Sequence, residues 1–190
     1  WWDTSAGRLH ARVLEFVGGR TLMGSGYLSP ATAARMGELA GKVSVALSDM
    51  THPASARVLQ WDLRHADRVI EALLPGEPDS RIAGLARSVA EQATRPLMPV
   101  MSRLPLQLGH FDLTDDNVVA PHGPCAVPDA VIDFGDVAES WAVNEIAITV
   151  SSLLHHDGFT PADAVPAIRA FHALRPLTED EADALWPLPK

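Results

Sequence analysis

The sequence predicts an α+β fold that is mostly α, with one small β-unit carrying the polar chemistry. Three observations predict it. Several stretches place apolar residues at helical spacing behind capping signals. Short β-rich runs cluster between residues 106 and 133, and they bracket a group of three Asp, a His and an Asn within eight residues. The 190 residues suit one domain with room for two subregions, and their 47% apolar and 21% charged content is that of a chain with a buried core.

The elements follow in order. Residues 8–19 alternate and are β-rich from Leu9 to Val17, which predicts a strand ending at Gly18-Gly19. A connecting segment with Gly24 and Gly26 leads to Ser29-Pro30, an N-cap followed by Pro at the first helical position. Met36, Leu39, Val43 and Leu47 then predict a helix over about 30–48. A second helix spans about 62–74 and stops at Pro75-Gly76. Asp79 or Ser80 caps a third, about 80–95, which Pro96 and Pro99 kink or end because each lacks a donor. After the β-rich unit, Ser140 is the expected cap of a strongly apolar helix whose inner face is Ile146, Val150, Leu153 and Leu154. Gly158 supplies a left-handed stop. Thr160-Pro161 opens a helix to about 173, and Thr178 with Glu181 is a capping box for a last short one.

Composition excludes some functions. The formal net charge is −9, which disfavours nonspecific binding to nucleic acid or to an anionic membrane. No apolar run approaches the roughly 20 residues of a spanning helix. With one cysteine, Cys125, an intramolecular disulfide is impossible and a thiolate metal cluster is disfavoured. A reducing cytoplasm is the expected location.

Two segments carry the chemistry. The first is His110-Phe111-Asp112-Leu113-Thr114-Asp115-Asp116-Asn117, and the second is Val131-Ile132-Asp133-Phe134-Gly135-Asp136. Each follows a β-run, so a strand–turn–strand placement brings Asp112, Asn117 and Asp133 to one edge. A carboxylate and a carboxamide oxygen are hard ligands suited to Mg²⁺. A second carboxylate can orient or deprotonate a hydroxyl. An Asp five residues before an Asn, then a later Asp-Phe-Gly, is the order that phosphoryl transfer uses in kinases. Asp115 and Asp116 are expected to be solvent-facing turn residues. His155-His156 do not converge on a metal, since adjacent helical residues point about 100° apart; they are expected to offset the helix dipole.

These residues resemble the aminoglycoside phosphotransferase and choline kinase-like family, whose pattern is His-Gly-Asp-x-x-x-x-Asn and then Ile-Asp-Phe/Trp-Gly/Glu. The run from Ile132 through Ile148 is most similar to phosphotransferase domains fused to class III aminotransferases and to hydroxylysine kinase-like proteins. The strong match covers about Leu106 to Leu154. The resemblance implies a protein kinase-like C-terminal lobe over 23–190, with a catalytic loop at 108–119 and a metal loop at 131–137. Residues 1–22 would be the last strand of an N-terminal lobe and the hinge. It implies Asp112 as catalytic base, Asn117 and Asp133 as Mg²⁺ ligands, and His110 and Glu145 as supports of the loop. Phe16 and Val17 fall where a hinge meets adenine, and Asp136 and Glu139 are substrate-side candidates. The implied reaction transfers the γ-phosphoryl of ATP or GTP to a hydroxyl of a small amine- or amino acid-like acceptor.

Two departures stand out. Phe111 replaces the family's usual Gly. The N-terminal lobe that grips the phosphates is expected to be missing, since Lys42 lies inside a helix and Lys190 is the last residue. A fused aminotransferase domain is a possible partner. Two other readings stay open on the residues alone. One is a noncatalytic kinase-like module that docks on a larger enzyme. The other is a metal-dependent hydrolase using Asp112, Asp133 and Asp136.

Overall fold

A computed structural model describes residues 2–5, 7–9, 11–123 and 127–186; Cys125 and Lys190 lie outside the described residues. The elements run β1 (Trp2–Thr4), β2 (Gly7–Leu9), β3 (Arg20–Thr21), α1 (Pro30–Leu47), α2 (Ala66–Leu73), α3 (Ser80–Leu97), β4 (Leu106–Gly109), β5 (Val118–Ala120), β6 (Ala130–Val131), β7 (Ala138–Trp141), α4 (Asn144–Leu154), α5 (Val165–Leu174) and α6 (Glu179–Leu185).

The helices form where caps and apolar spacing agree. Ser29 accepts from the Thr32 amide at 3.1 Å and starts α1, with Pro30 at the first position. Met36, Ala33 and Ala40 of α1 are fully buried, together with Ile146 and Val150 of α4 and Ala167 and Phe171 of α5. These three helices are the core. At Gly37 a Cβ would lie 2.0 Å from the Ala167 carbonyl oxygen, so glycine lets α1 and α5 meet backbone to backbone. Pro96 falls in the last turn of α3, which ends one residue later at Leu97. The Thr178–Glu181 capping box forms at α6, with bonds of 2.9 and 3.2 Å.

Three expectations fail locally. The strand over Leu9–Val17 is instead a short hairpin of β1 and β2 ending at Leu9, and residues 11–18 have no regular structure. Phe16 is 88% exposed. Alternation gives a strand only where a neighbour accepts its backbone groups, and among the described residues none does. Gly19, at φ 148, then lets the chain press on β5: a Cβ there would sit 2.4 Å from the Ala120 carbonyl oxygen. The apolar run before Asp133 is a strand for only two residues, because Asp133 turns into the left-handed region at φ 60. Ser140 is no helix cap. It lies in β7, donates to Asp62 and accepts from Asn144 Nδ2 at 2.9 Å, while α4 starts behind Val143.

The sheets explain the placement of the acidic segments. Strand β5 lies between β3 and β6, and β4 pairs with β7, all antiparallel. Residues 110–117 therefore cross from the β4–β7 pair to the β5–β6 pair, and residues 132–137 cross back. Pairing β4 with β7 and β5 with β6 fixes both ends of both loops. The two acidic segments are forced side by side. This differs from a simple strand–turn–strand unit but achieves the juxtaposition that the motif spacing predicts.

Candidate active site

Asn117 is buried, and its Nδ2 donates to both the main-chain oxygen and the carboxylate of Asp112, each at 2.8 Å. Both bonds fix the carboxamide orientation, and Oδ1 points elsewhere. Asp112 is half-buried. Burial first, then the neighbouring charge of Asp116, raises its pKa above the usual carboxylate range, and Asp136 adds to the effect.

His110 joins the two loops. Its Nδ1 accepts from the Asp112 amide at 3.3 Å, so Nε2 carries the proton and donates to the Ile132 carbonyl at 2.9 Å. Its ring meets the edge of Phe134 at 4.9 Å between centroids. Asn117 completes the link, its carbonyl accepting from the Ile132 amide at 3.0 Å. Asp133 therefore leaves a strand end tied to both His110 and Asn117. Among the described residues its exposed carboxylate accepts only from the Gly135 amide, at 3.2 Å.

Glu145 is wholly buried at the start of α4. Its Oε2 accepts from the His110 amide at 2.8 Å and from the Phe111 amide at 3.5 Å; Oε1 has no partner among the described residues. Burial pushes its pKa up to about 7, against the lowering pull of those two amides. The same bonds hold Phe111 at φ 53, a conformation that suits glycine. The Phe111 ring turns inward, is buried, and covers Gly109, where a Cβ would lie 2.4 Å from it. The loop accommodates Phe because its ring has an apolar seat.

Helix α4 and the turn that follows it hold the loop at successive points. Glu145, Thr149, Ser152 and His156 stand at i, i+4, i+7 and i+11. Thr149 Oγ1 donates to the Leu113 carbonyl at 3.2 Å, and Ser152 Oγ accepts from the Asp115 amide at 2.9 Å. His156 faces the Asp115 carboxylate at 3.4 Å. It is buried and hydrogen-bonded, contrary to the dipole role expected of it, while His155 is exposed. Asp115 is therefore pinned rather than solvent-facing. Asp116 is exposed and accepts from Thr114.

The sequence did not mark every contributor. Arg57 donates to the Gly135 carbonyl at 2.5 Å and the Val137 carbonyl at 3.0 Å, holding the loop after Asp133. It lies in a turn-rich, aperiodic stretch that gives no local signal. Glu139, on β7, bonds through its amide to the Ser55 carbonyl at 2.8 Å. Phe16 and Val17 lie in the irregular segment before Gly18. Beside Asp112 opens a cavity of about 560 Å³, walled by Met23, Trp61 and Ile148 and by Asp112, Asp115 and Asp116. That volume suits a small molecule.

Among the described residues, no three His, Cys, Asp or Glu side chains converge as a metal cage. Mg²⁺ needs no such cage, since it keeps waters and binds through one or two carboxylates plus phosphate oxygens. Asn117 Oδ1 and the Asp133 carboxylate are oxygen donors of that kind, on loops that His110 ties together.

A mostly helical body with paired Asp-x-x-x-x-Asn and Asp-Phe-Gly loops defines a kinase-like phosphotransferase fold. The family model described as "Phosphotransferase enzyme family" matches residues 2–185. The chain belongs to this family. It is 27% identical over 185 residues to a hydroxylysine kinase of Danio rerio, covering 92% of this chain and 50% of the relative. It is 26% identical over 188 residues to that of Bos taurus, covering 93% and 49%. The chain thus spans about half the length of these curated relatives. Among solved structures, the microcompartment-associated aminopropanol kinase superposes with a TM-score of 0.59 at 19% identity, covering 92% of this chain and 55% of the other. The aminoglycoside-3'-phosphotransferase of type VIII gives 0.55 at 19%, covering 92% and 66%. At these identities the structures show a shared fold. No described helix is long and apolar enough to cross a membrane.

Proposed function

We propose that the protein is a small-molecule kinase that transfers the γ-phosphoryl of ATP or GTP to a hydroxyl of a small amine- or amino acid-like acceptor. The observation that carries this is the Asp112–Asn117 pair: one side chain orients the other while presenting its own carbonyl oxygen. Asp112 is the base. Its raised pKa improves its match to a hydroxyl proton, and Asn117 aims its carboxylate. Asn117 and Asp133 would hold Mg²⁺, which, when bound, neutralises charge on the phosphates. His110 and Glu145 keep the loop in register. Asp136 and Glu139 stand on the substrate side, and Phe16 and Val17 at the adenine end. The loop and Lys that cover the phosphates are supplied from outside these residues, in keeping with the greater length of the relatives. A cytoplasmic location accords with nucleotide supply.

The acceptor enters the cavity beside Asp112. Among the described residues no Lys or Arg lines it, Asp116 offers an exposed carboxylate, and Trp61, Met23 and Ile148 form an apolar wall. A cationic amine with a short apolar stem complements such a surface. Calorimetric titration of the full-length protein with ATP and GTP tests the nucleotide half of the proposal. Binding should require Mg²⁺ and weaken about tenfold or more in Asp133→Ala. Metal-independent binding, untouched by that substitution, would overturn it.

A further inference from the structure

We propose that His156 is a positioning residue for phosphotransfer, acting through Asp115 on the loop between the base and the metal-ligand asparagine. The proposal rests on the kinase reading above. Asp115 lies three residues after Asp112 and two before Asn117, so its position constrains both. It is held from three sides. Ser152 Oγ accepts from its amide at 2.9 Å and donates to its carboxylate at 3.3 Å. The Leu22 amide donates to its carbonyl at 2.8 Å. The His156 ring closes the third side, with Nε2 at 3.4 Å from its carboxylate.

The other nitrogen of His156 has a separate task. Nδ1 donates to the Ser25 and Gly26 carbonyls, at 2.9 and 3.1 Å, because a carbonyl can only accept, so Nε2 can hold the Asp115 carboxylate only when the ring carries both protons, and the clamp is that of an imidazolium. The segment carrying those carbonyls also carries Leu22, which grips Asp115 from the main chain. One buried ring thus spans the segment that precedes α1 and the loop that bears Asp112. With two oxygens of Asp115 engaged by Ser152 and His156, Asp116, which accepts only the Thr114 hydroxyl among the described residues, is the more exposed of the two carboxylates lining the acceptor cavity. Loss of the Nε2 arm would let the turn shift, and a displacement of about 1 Å near reacting groups can cost on the order of a hundredfold in rate.

Three variants of the full-length protein separate the arms. His156→Asn keeps a donor at the Nδ1 place, His156→Gln keeps one at the Nε2 place, and His156→Phe keeps neither. Three quantities are read on each: melting temperature, peptide-resolved hydrogen exchange over 111–119, and steady-state kinetics. The Gln variant should melt lower, yet keep exchange over 111–119 and kcat within about twofold of the parent. The Asn variant should keep its melting temperature, yet exchange about tenfold faster there and lose about tenfold in kcat, with the KM for nucleotide unchanged. The Phe variant should lose on every measure. Exchange and kcat that simply follow melting temperature across the three would overturn the proposal and leave His156 a structural residue. Absence of phosphotransfer in the parent would instead defeat the kinase reading, and the order of exchange between Gln and Asn would still decide the clamp.

Discussion

The Asn117 side chain donates to the carbonyl and the carboxylate of Asp112 at the same distance, 2.8 Å. A group that binds both ends of a residue fixes its backbone and its rotamer together. Asn117→Asp removes those donors and sets a like charge against Asp112. Expected outcomes are a loss of about 1–3 kcal/mol in stability and a fall of about a hundredfold or more in kcat. Urea unfolding and steady-state kinetics on the full-length protein check both. A variant with parental kcat would contradict the pairing.

Glu145 makes stability depend on pH with a definite sign. Its folded pKa, about 7, lies above the ordinary glutamate value of 4.5. Between those values the folded state binds more protons than the unfolded state, so stability falls as pH rises from about 4.5 through about 7 and then levels. The contribution is at most roughly 3 kcal/mol. Glu145→Gln should flatten the stability profile in that window. Glu145→Ala should flatten the profile too, but lie about 1–3 kcal/mol below the Gln variant throughout, because it strands the buried His110 amide. Chemical denaturation from pH 4 to 8 distinguishes them.

Gly109 and Phe111 are coupled through the ring. Gly109→Ala should destabilise by about 3 kcal/mol or more, since its Cβ would meet the Phe111 ring at 2.4 Å and Glu145 Oε2 at 2.9 Å. Phe111→Gly relieves a left-handed backbone worth about 1–2 kcal/mol, but empties a buried ring site whose loss costs about 3–5 kcal/mol. In the double variant the Gly109→Ala penalty should shrink by about 1 kcal/mol or more. Strict additivity in a double-mutant cycle would refute the seat described for the ring.

Asp116 and Trp61 should govern acceptor binding. Asp116→Asn and Trp61→Ala should each raise the KM for an amine-bearing acceptor about tenfold; Trp61→Ala should leave kcat within about twofold, while Asp116→Asn, which removes a charge that raises the Asp112 pKa, should also lower kcat several-fold. With an acceptor analogue lacking the amine, Asp116→Asn should leave KM at the parental value. Equal effects on both acceptors would place the amine elsewhere.

Much of this architecture is legible in sequence because it is local. The caps at Ser29 and Thr178, the helical spacing of Met36 and Leu39, and the Asp112–Asn117 and Asp133–Gly135 spacings each act within a few residues. Pairing is not local. Strand β7 was hidden inside what reads as the start of an apolar helix, and residues 11–17 alternate without finding a partner. The grip of α4 on the loop was present as polar residues at 145, 149, 152 and 156 along one helical stripe. Buried polar groups at helical spacing within an apolar helix are a signal that something polar faces them. Arg57 has no such signal, because only the folded chain brings it across 78 residues to Gly135.

In the proposed reaction Asp112 receives the hydroxyl proton during transfer of a phosphoryl group to a small amine-bearing acceptor. The most direct measurement is acceptor-dependent ADP or GDP formation by the full-length protein, parent against Asp112→Asn, with Mg²⁺ and with nucleotide affinity measured alongside. The account predicts turnover that requires an acceptor hydroxyl, falls about 10²–10⁴-fold in the variant, and leaves nucleotide binding intact. Undiminished transfer by Asp112→Asn, or phosphate release that needs no acceptor and persists in the variant, would contradict it.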